Sequence, residues 1–485
     1  MPNSEKRVII NFQVANSFAR KKLTEELNPL ISRLKYPARP HPTPSVSSDS
    51  FPPFPMRLLF LSISILFLAG SGLSQTTTSE KEGKYGQEAK KLKDHPAIQA
   101  AFEEIERLNP QTIEELILLN EIPAPPFGES KRGEKYQELL QAAGAVTVWK
   151  DSIGNILALR KGTEGKRTIA LDGHLDTVFP KETDVSVKRR GDTLFAPGIG
   201  DNTRGLMVVL TVLRAMEKAK IQTKDNILFV ASVGEEGNGD LRGVKYLVDR
   251  GEVDLDGWIS IDVSGVGLIA NRGTGSLRYK VTVSGPGGHS WGDFGLANPH
   301  HALGQMIHAF SDAASRFTSY ATSKTTFNVG KIGGGTSVNS IPFESWMEVD
   351  MRSEEDQNLS SVDSIFKSSI QQALQEYNEN RKTGPALTLQ LNQIGFRPSG
   401  MTPEESSLVQ RSKAALDAFS QSPRLGIMSG NANWLMYRGI PAVTIGWGGQ
   451  SDKAHSLDEW WMDDHGTLAI KLALLTLVAE SGIMD

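Results

Sequence analysis

The chain has 485 residues, 39% of them apolar and 22% charged, a length for two or three domains and a composition that suits a globular protein. Its formal charge of −4 does not point to a nucleic-acid partner, and the absence of cysteine excludes disulfide scaffolds, thiolate metal sites and cysteine nucleophiles. A metal in this chain needs His, Asp and Glu.

Residues 1–55 read as an upstream extension or disordered stretch, because 38–55 is rich in Pro and Ser and lacks hydrophobic periodicity. Met56-Arg57 then precedes an apolar run, Leu58 to Gly70, and the small-residue segment Ser71-Gly72-Leu73-Ser74. A basic residue, a short apolar core and a small-residue exit make a secretory signal peptide over 56–74, too short for a comfortable membrane span. The expectation is translation from Met56 and a secreted or periplasmic mature protein with no stable membrane span. Residues 75–109 read as a linker or N-terminal segment.

Thr112-Ile113-Glu114-Glu115 has the spacing of a capping box and predicts a helix to about Asn120, stopped by Pro123, Pro125 and Pro126. A second helix is predicted over roughly 131–143, then strands at about 145–149, 154–160 and Thr168-Ile169-Ala170-Leu171. A long helix from Thr203 to Ala219, a strand from Asn226 to Val233, a helix from Leu241 to Arg250 and a strand from Trp258 to Val263 follow. This alternation predicts an α/β domain with a central, mostly parallel sheet, in two parts over 110–272 and 396–485. Between them, 273–395 reads as strand, helix, strand, strand, helix, strand, the split βαβ order of an inserted ferredoxin-like α+β domain. The main domain resumes with a helix near 403–419, a strand at Ala442 to Ile445 and a last helix from Gly466.

The chemistry-bearing residues stand where predicted strands end. His174 and Asp176 lie in Leu171-Asp172-Gly173-His174-Leu175-Asp176-Thr177, where one can hold a metal while the other adjusts it. Asp201 lies in the turn Pro197-Gly198-Ile199-Gly200-Asp201-Asn202, Glu235-Glu236 follow the strand ending at Val233, Asp262 lies near the end of the next strand, and His455 follows the last one. Each alone has a plainer reading: an aspartate before a helix is commonly an N-cap, and paired glutamates are commonly a solvated loop. Together they offer imidazole and carboxylate donors suited to zinc, and a carboxylate can bridge two metals. One of two adjacent glutamates can then ligate while the other takes a proton.

The ordered set Gly-His-x-Asp-Thr, Gly-x-Gly-Asp-Asn, Glu-Glu-Gly, a later Asp and a C-terminal Ala-His resembles the co-catalytic zinc peptidases and amidohydrolases that include carboxypeptidase G, peptidase T, aminoacylase and succinyl-diaminopimelate desuccinylase. The resemblance covers about residues 110–482. It implies a zinc-exopeptidase-like catalytic domain, an inserted dimerisation domain and a homodimer. It assigns His174, Asp201 and Asp262 to one zinc and Asp201, Glu236 and His455 to the other, with cobalt or manganese as alternatives. It makes Asp176 the group that orients His174, Glu235 the general base, and the Asp201-Asn202 peptide cis. In Gly285-Pro286-Gly287-Gly288-His289-Ser290 it implies that His289 stabilises the oxyanion, often in the partner subunit's site. It implies substrate binding by Asn339, in Gly333-Gly334-Gly335-Thr336-Ser337-Val338-Asn339, and by Arg352, which can take a carboxylate bidentately. Two segments depart from the family pattern. Ser429-Gly430-Asn431-Ala432-Asn433-Trp434 stands where relatives often have Ser-Gly-Gly-(Ser/Thr)-Asp-Ala, and Asn202-Thr203-Arg204-Gly205 replaces the Met-Lys-Gly-Gly common in deacylases. The expectation is a di-metal exopeptidase acting on small peptides, of di- or tripeptidase or carboxypeptidase type. The alternatives are an N-acyl amino acid deacylase and a catalytically inactive metal- or peptide-binding protein.

Overall fold

The computed structural model describes residues 83–484 apart from 145, 146 and 252, so the extension over 1–55 and the signal peptide over 56–74 lie outside the described residues. A helical segment over 83–93 is followed by α1 (Pro96–Asn120), α2 (Ser130–Ala142), β1 (Thr147–Lys150), β2 (Ile156–Arg160), β3 (Thr168–His174), β4 (Lys188–Arg190) and β5 (Thr193–Phe195). Next come α3 (Gly205–Lys218), β6 (Asn226–Ser232), α4 (Arg242–Arg250), β7 (Gly257–Val263) and β8 (Leu268–Gly273). The inserted segment carries β9 (Gly275–Ser284), β10 (Gly288–His289), α5 (Pro299–Thr318), β11 (Thr325–Gly334), β12 (Ser340–Ile341), β13 (Glu344–Ser353), α6 (Asp356–Glu379) and β14 (Thr388–Arg397), a strand that runs two residues past the boundary expected at 395. The chain closes with β15 (Gly400–Met401), α7 (Ser407–Ala418), β16 (Arg424–Met428), α8 (Ala432–Tyr437), β17 (Ala442–Gly446), β18 (Gln450–Asp452), β19 (Trp460–Met462) and α9 (Gly466–Ser481).

Residues 83–109, which read as linker, are largely helical. Pro96 sits in the first turn of α1, where its missing N–H costs nothing, and the His95 side chain accepts from the Ala97 N–H at 3.2 Å. Ile98, Ala101, Phe102, Ile105 and Leu108 recur at helical spacing and are buried. Thr112 therefore lies inside the helix rather than at its cap, fully buried with its hydroxyl 3.1 Å from that of Thr211 in α3.

β6, β3, β7 and β17 stand side by side and parallel at the heart of the main sheet. β3 is buried along its whole length, apolar over Ile169-Ala170-Leu171 and turning polar at Asp172 and His174, where it reaches the carboxyl edge of the sheet. Ile169 and Leu171 pack into a core shared with α1, α3, α7 and α9, while Ala170 faces the opposite layer with α4 and α8. Antiparallel β1 and β2 flank one side, and β8, β15 and β16 the other.

The inserted segment forms its own antiparallel sheet in the order β11-β13-β9-β14, with a separate core in which Tyr279, Val281, Met347 and Met351 meet Phe310 and Phe366 of α5 and α6. β18, β19, β5 and β4 make a small sheet that periodicity did not reveal. In it Trp461 is buried with the Arg204 guanidinium 4.7 Å over its ring, a packing role. Among the described residues no helix is long and apolar enough to cross a membrane.

Candidate metal centre and active site

Parallel strands deliver their carboxyl ends to one edge of the sheet, and the ligand candidates gather there. His174 ends β3, Asp262 is the penultimate residue of β7, and Glu235-Glu236 follow β6 through a tight turn at Gly234. Asp201 sits in the turn leading into α3, and His455 in the loop between β18 and β19.

The His174 Nε2 lies 3.1 Å from Asp201 Oδ1 and 3.4 Å from Asp262 Oδ1. The His455 Nε2 lies 3.1 Å from Asp201 Oδ2 and 2.9 Å from Glu236 Oε1. Asp201 thus offers one oxygen to each histidine. The donor atoms of His174, Asp201 and Asp262, and those of Asp201, Glu236 and His455, all fall within 4.8 Å of one another. A third grouping, His174 with Glu235 and Glu236, meets the same distance, but one Glu235 oxygen is already taken by Arg397.

Supporting groups fix these donors. His174 Nδ1 donates to the Asp176 main-chain carbonyl at 2.9 Å, which leaves Nε2 as the free donor, while the Asp176 carboxylate stands 3.6 Å away. That carboxylate accepts the main-chain N–H groups of Glu235 at 3.0 Å and Glu236 at 2.8 Å, so Asp176 orders both glutamates as well as the ring. The Asn202 side-chain amide donates to Asp262 Oδ1 at 2.7 Å, and the Asp201-Asn202 peptide is cis. The buried Glu459 carboxylate accepts from the main-chain N–H groups of Gly198, Gly200 and Asp201 at 2.7, 2.9 and 3.0 Å, tying the His455 loop to the Asp201 turn.

The electrostatics call for cations. Burial pushes Asp201 up, but hydrogen bonds and charge from the two imidazoles more than offset it and hold the carboxyl well below its ordinary range. Hydrogen bonds to Asp201 and Glu236 raise His455 to about 10. Burial raises Asp262 to about 6 and Glu235 to about 8, the latter against the opposing pull of Arg397. Asp176, Asp201, Glu235, Glu236 and Asp262 crowd five largely buried carboxylates around two imidazoles, oxygen and nitrogen donors of the kind divalent metals take. The donor chemistry fits a pair of such ions.

A cavity of about 210 Å³ is lined by the carboxylates of Asp201, Glu235, Glu236 and Asp262, by His455, and by the guanidinium groups of Arg278, Arg352 and Arg397. The Asp350 carboxylate holds two of these arginines, accepting from Arg278 Nε at 2.9 Å and from Arg352 Nε at 2.8 Å. Sequence reasoning singled out Arg352 but missed Arg278, Arg397, Asn202 and Glu459. His289 and Asn339 do not line the cavity. His289 is exposed, its Nδ1 accepting from Trp291 and Gly292 N–H at 3.2 Å each, and its strand pairs with β12 beside Asn339. A larger cavity of about 640 Å³ lies in the inserted domain near Ser290, away from the metal donors. The other histidines are elsewhere: His300 Nδ1 packs 2.7 Å from Ser345 Oγ, and His465 is exposed.

The model of peptidase family M20/M25/M40 matches residues 170–479. The chain belongs to this family. It is 26% identical over 240 residues to a probable succinyl-diaminopimelate desuccinylase from Staphylococcus aureus, spanning 42% of this chain and 58% of that relative's length. The di-peptidase Dug1p from Saccharomyces cerevisiae shares the fold with a TM-score of 0.63 at 14% identity, over 79% of this chain and 99% of that one. The aminopeptidase PepT from Bacillus cereus shares it with a TM-score of 0.58 at 19% identity, over 76% and 98%. M20 enzymes are generally dimetal-dependent, and the two donor sets of this chain are compatible with that requirement.

Proposed function

We propose that this M20 protein is a di-metal exopeptidase that hydrolyses an amide bond in small peptides. The observation that carries the reading is Asp201, whose two oxygens each lie 3.1 Å from a different histidine. His174, Asp201 and Asp262 would hold one ion, and Asp201, Glu236 and His455 the other, zinc being favoured over cobalt or manganese. Such a pair would supply Lewis-acid polarisation of the scissile carbonyl and a more acidic water. Glu235 takes the proton from the attacking water and passes it to the departing nitrogen as the C–N bond breaks and the C–O bond forms. Arg352, its side chain 43% exposed, presents donors for the substrate's carboxylate across the cavity.

His289 and Asn339 serve the partner's site in a homodimer. In support, both lie outside this chain's own cavity, and among the described residues the His289 ring bonds to main-chain amides of its own loop. Export through a signal peptide over 56–74 accompanies this reading. N-terminal sequencing of the mature protein tests it, and a mature form retaining residues 1–55 contradicts it.

One observation favours a second reading, N-acyl amino acid deacylation. Arg278 joins Arg352 at the same cavity, a second cation available for the distal carboxylate of an N-dicarboxylic acyl group such as succinyl. A hydrolysis screen of dipeptides, tripeptides, N-acetyl and N-succinyl amino acids against metal-loaded protein separates the two. Turnover confined to peptides supports the exopeptidase, turnover confined to N-acyl amino acids supports the deacylase, and none with metal bound supports an inactive binding protein.

A further inference from the structure

The turn that carries Glu235 is gripped from outside its own domain. Arg397 is the last residue of β14, a strand of the inserted sheet, and reaches across to the end of β6. Its Nη1 donates to Glu235 Oε1 at 2.8 Å, and its Nη2 donates to the main-chain carbonyl of the same residue. A guanidinium is a rigid planar fork, so holding carboxylate and carbonyl together fixes the side-chain torsions between them. Arg278 of β9 adds a bond from Nη1 to the Gly237 carbonyl at 2.7 Å, and the Phe396 N–H donates to Asp240 at 2.9 Å. The inserted domain therefore clasps residues 235–240 at several points.

We propose that Arg397 is a positioning residue for the general base, fixing the Glu235 rotamer so that Oε1 is anchored and Oε2 is left to handle the proton. This rests on Glu235 being the base. Glu235 Oε2 has no hydrogen-bond partner among the described residues, whereas Oε1 has Arg397. Exposure separates Arg397 from its neighbours. Its side chain is 5% exposed and two of its nitrogens are committed to Glu235, while Arg352 is 43% exposed and open to substrate. A buried ion pair contributes little net stability on average, so a pair at the proton-transfer group is better explained by orientation. Misplacing a catalytic group by about 1 Å costs on the order of 10²-fold in rate.

The test is steady-state kinetics with metal analysis on Arg397→Ala, Arg397→Lys, Glu235→Gln and the double variant Glu235→Gln/Arg397→Ala. The expected result for Arg397→Ala is a fall in kcat on the order of 10²-fold, with KM little changed and both metals retained. Millimolar guanidinium restores part of that kcat, and the double variant is no slower than Glu235→Gln, because residues acting through one group are non-additive. Should Arg397→Ala not fold, Arg397→Lys carries the test with the same fall in kcat expected, since one ammonium cannot reproduce the planar grip on Glu235 Oε1 and the Glu235 main-chain carbonyl. A raised KM with normal kcat, loss of metal in step with loss of rate, or full additivity in the double variant overturns the proposal. Near-normal turnover by Glu235→Gln instead refutes the base assignment. Normal kcat in both Arg397 variants beside an inactive Glu235→Gln refutes the positioning role alone.

Discussion

The His455 ring is the most exposed of the metal donors, and its charge state governs metal uptake. With Asp201 and Glu236 raising it to about 10, it holds a proton at pH 7 in the metal-free site. A metal ion must displace that proton, so affinity falls as pH falls, by about tenfold per pH unit for each proton released. Calorimetry of the metal-free protein in buffers of different ionisation enthalpy is expected to show proton release on binding; affinity flat between pH 6 and pH 8, a window chosen below that value on the linkage argument, contradicts it. The gathering of His174, Asp201, Glu236, Asp262 and His455 at one sheet edge was legible in sequence because each follows an apolar strand or sits in a glycine-rich turn. Arg397 and Glu459 were not, because they act on residues 162 and 258 positions away, and nothing local marks such a pairing.

At the scale of elements, the site depends on how closely α3 approaches β7. A Cβ placed on Gly205, the first residue of α3, meets the Asn202 side-chain oxygen at 2.2 Å and the Ile261 carbonyl at 2.4 Å. Gly205→Ala is therefore expected to push α3 off the sheet and disturb Asn202, which orients Asp262, at a cost of about 1–3 kcal/mol typical of overpacking. Urea unfolding of metal-free protein measures this, and unchanged stability contradicts the packing argument. The alternation of strands and helices was readable because buried parallel strands are continuous apolar runs. α1 was misread at its start because the Thr112–Glu115 spacing imitates a helix beginning, whereas Pro96 supplies the real one and the helix runs on through Pro110. Strands as short as β4, β5, β18 and β19, of three residues each, carry no period to read.

On the scale of the whole molecule, two separately packed cores meet at the turn after β6, and the site is completed from both. The inserted domain supplies Arg278, Arg352 and Arg397 to the cavity of its own chain, while its His289 faces solvent. If His289 serves the partner's site, mixing inactive His289→Ala with inactive Glu235→Gln restores activity, because a mixed dimer holds one site with an intact base and an intact histidine. Absence of any gain after subunit exchange contradicts service in trans. The inserted domain's strand order was legible from its alternating segments, but which of its residues turn toward the metals depended on a packing that no local pattern encodes.

The proposed function stands on a two-metal centre bridged by Asp201 with Glu235 as its base. The most direct measurement is metal stoichiometry and turnover on one preparation of Glu235→Gln, using whichever substrate the screen identifies. The account predicts two metal ions per chain, as in the unaltered protein, with turnover abolished. Near-normal turnover by this variant, or full activity of the unaltered protein stripped of metal, contradicts it.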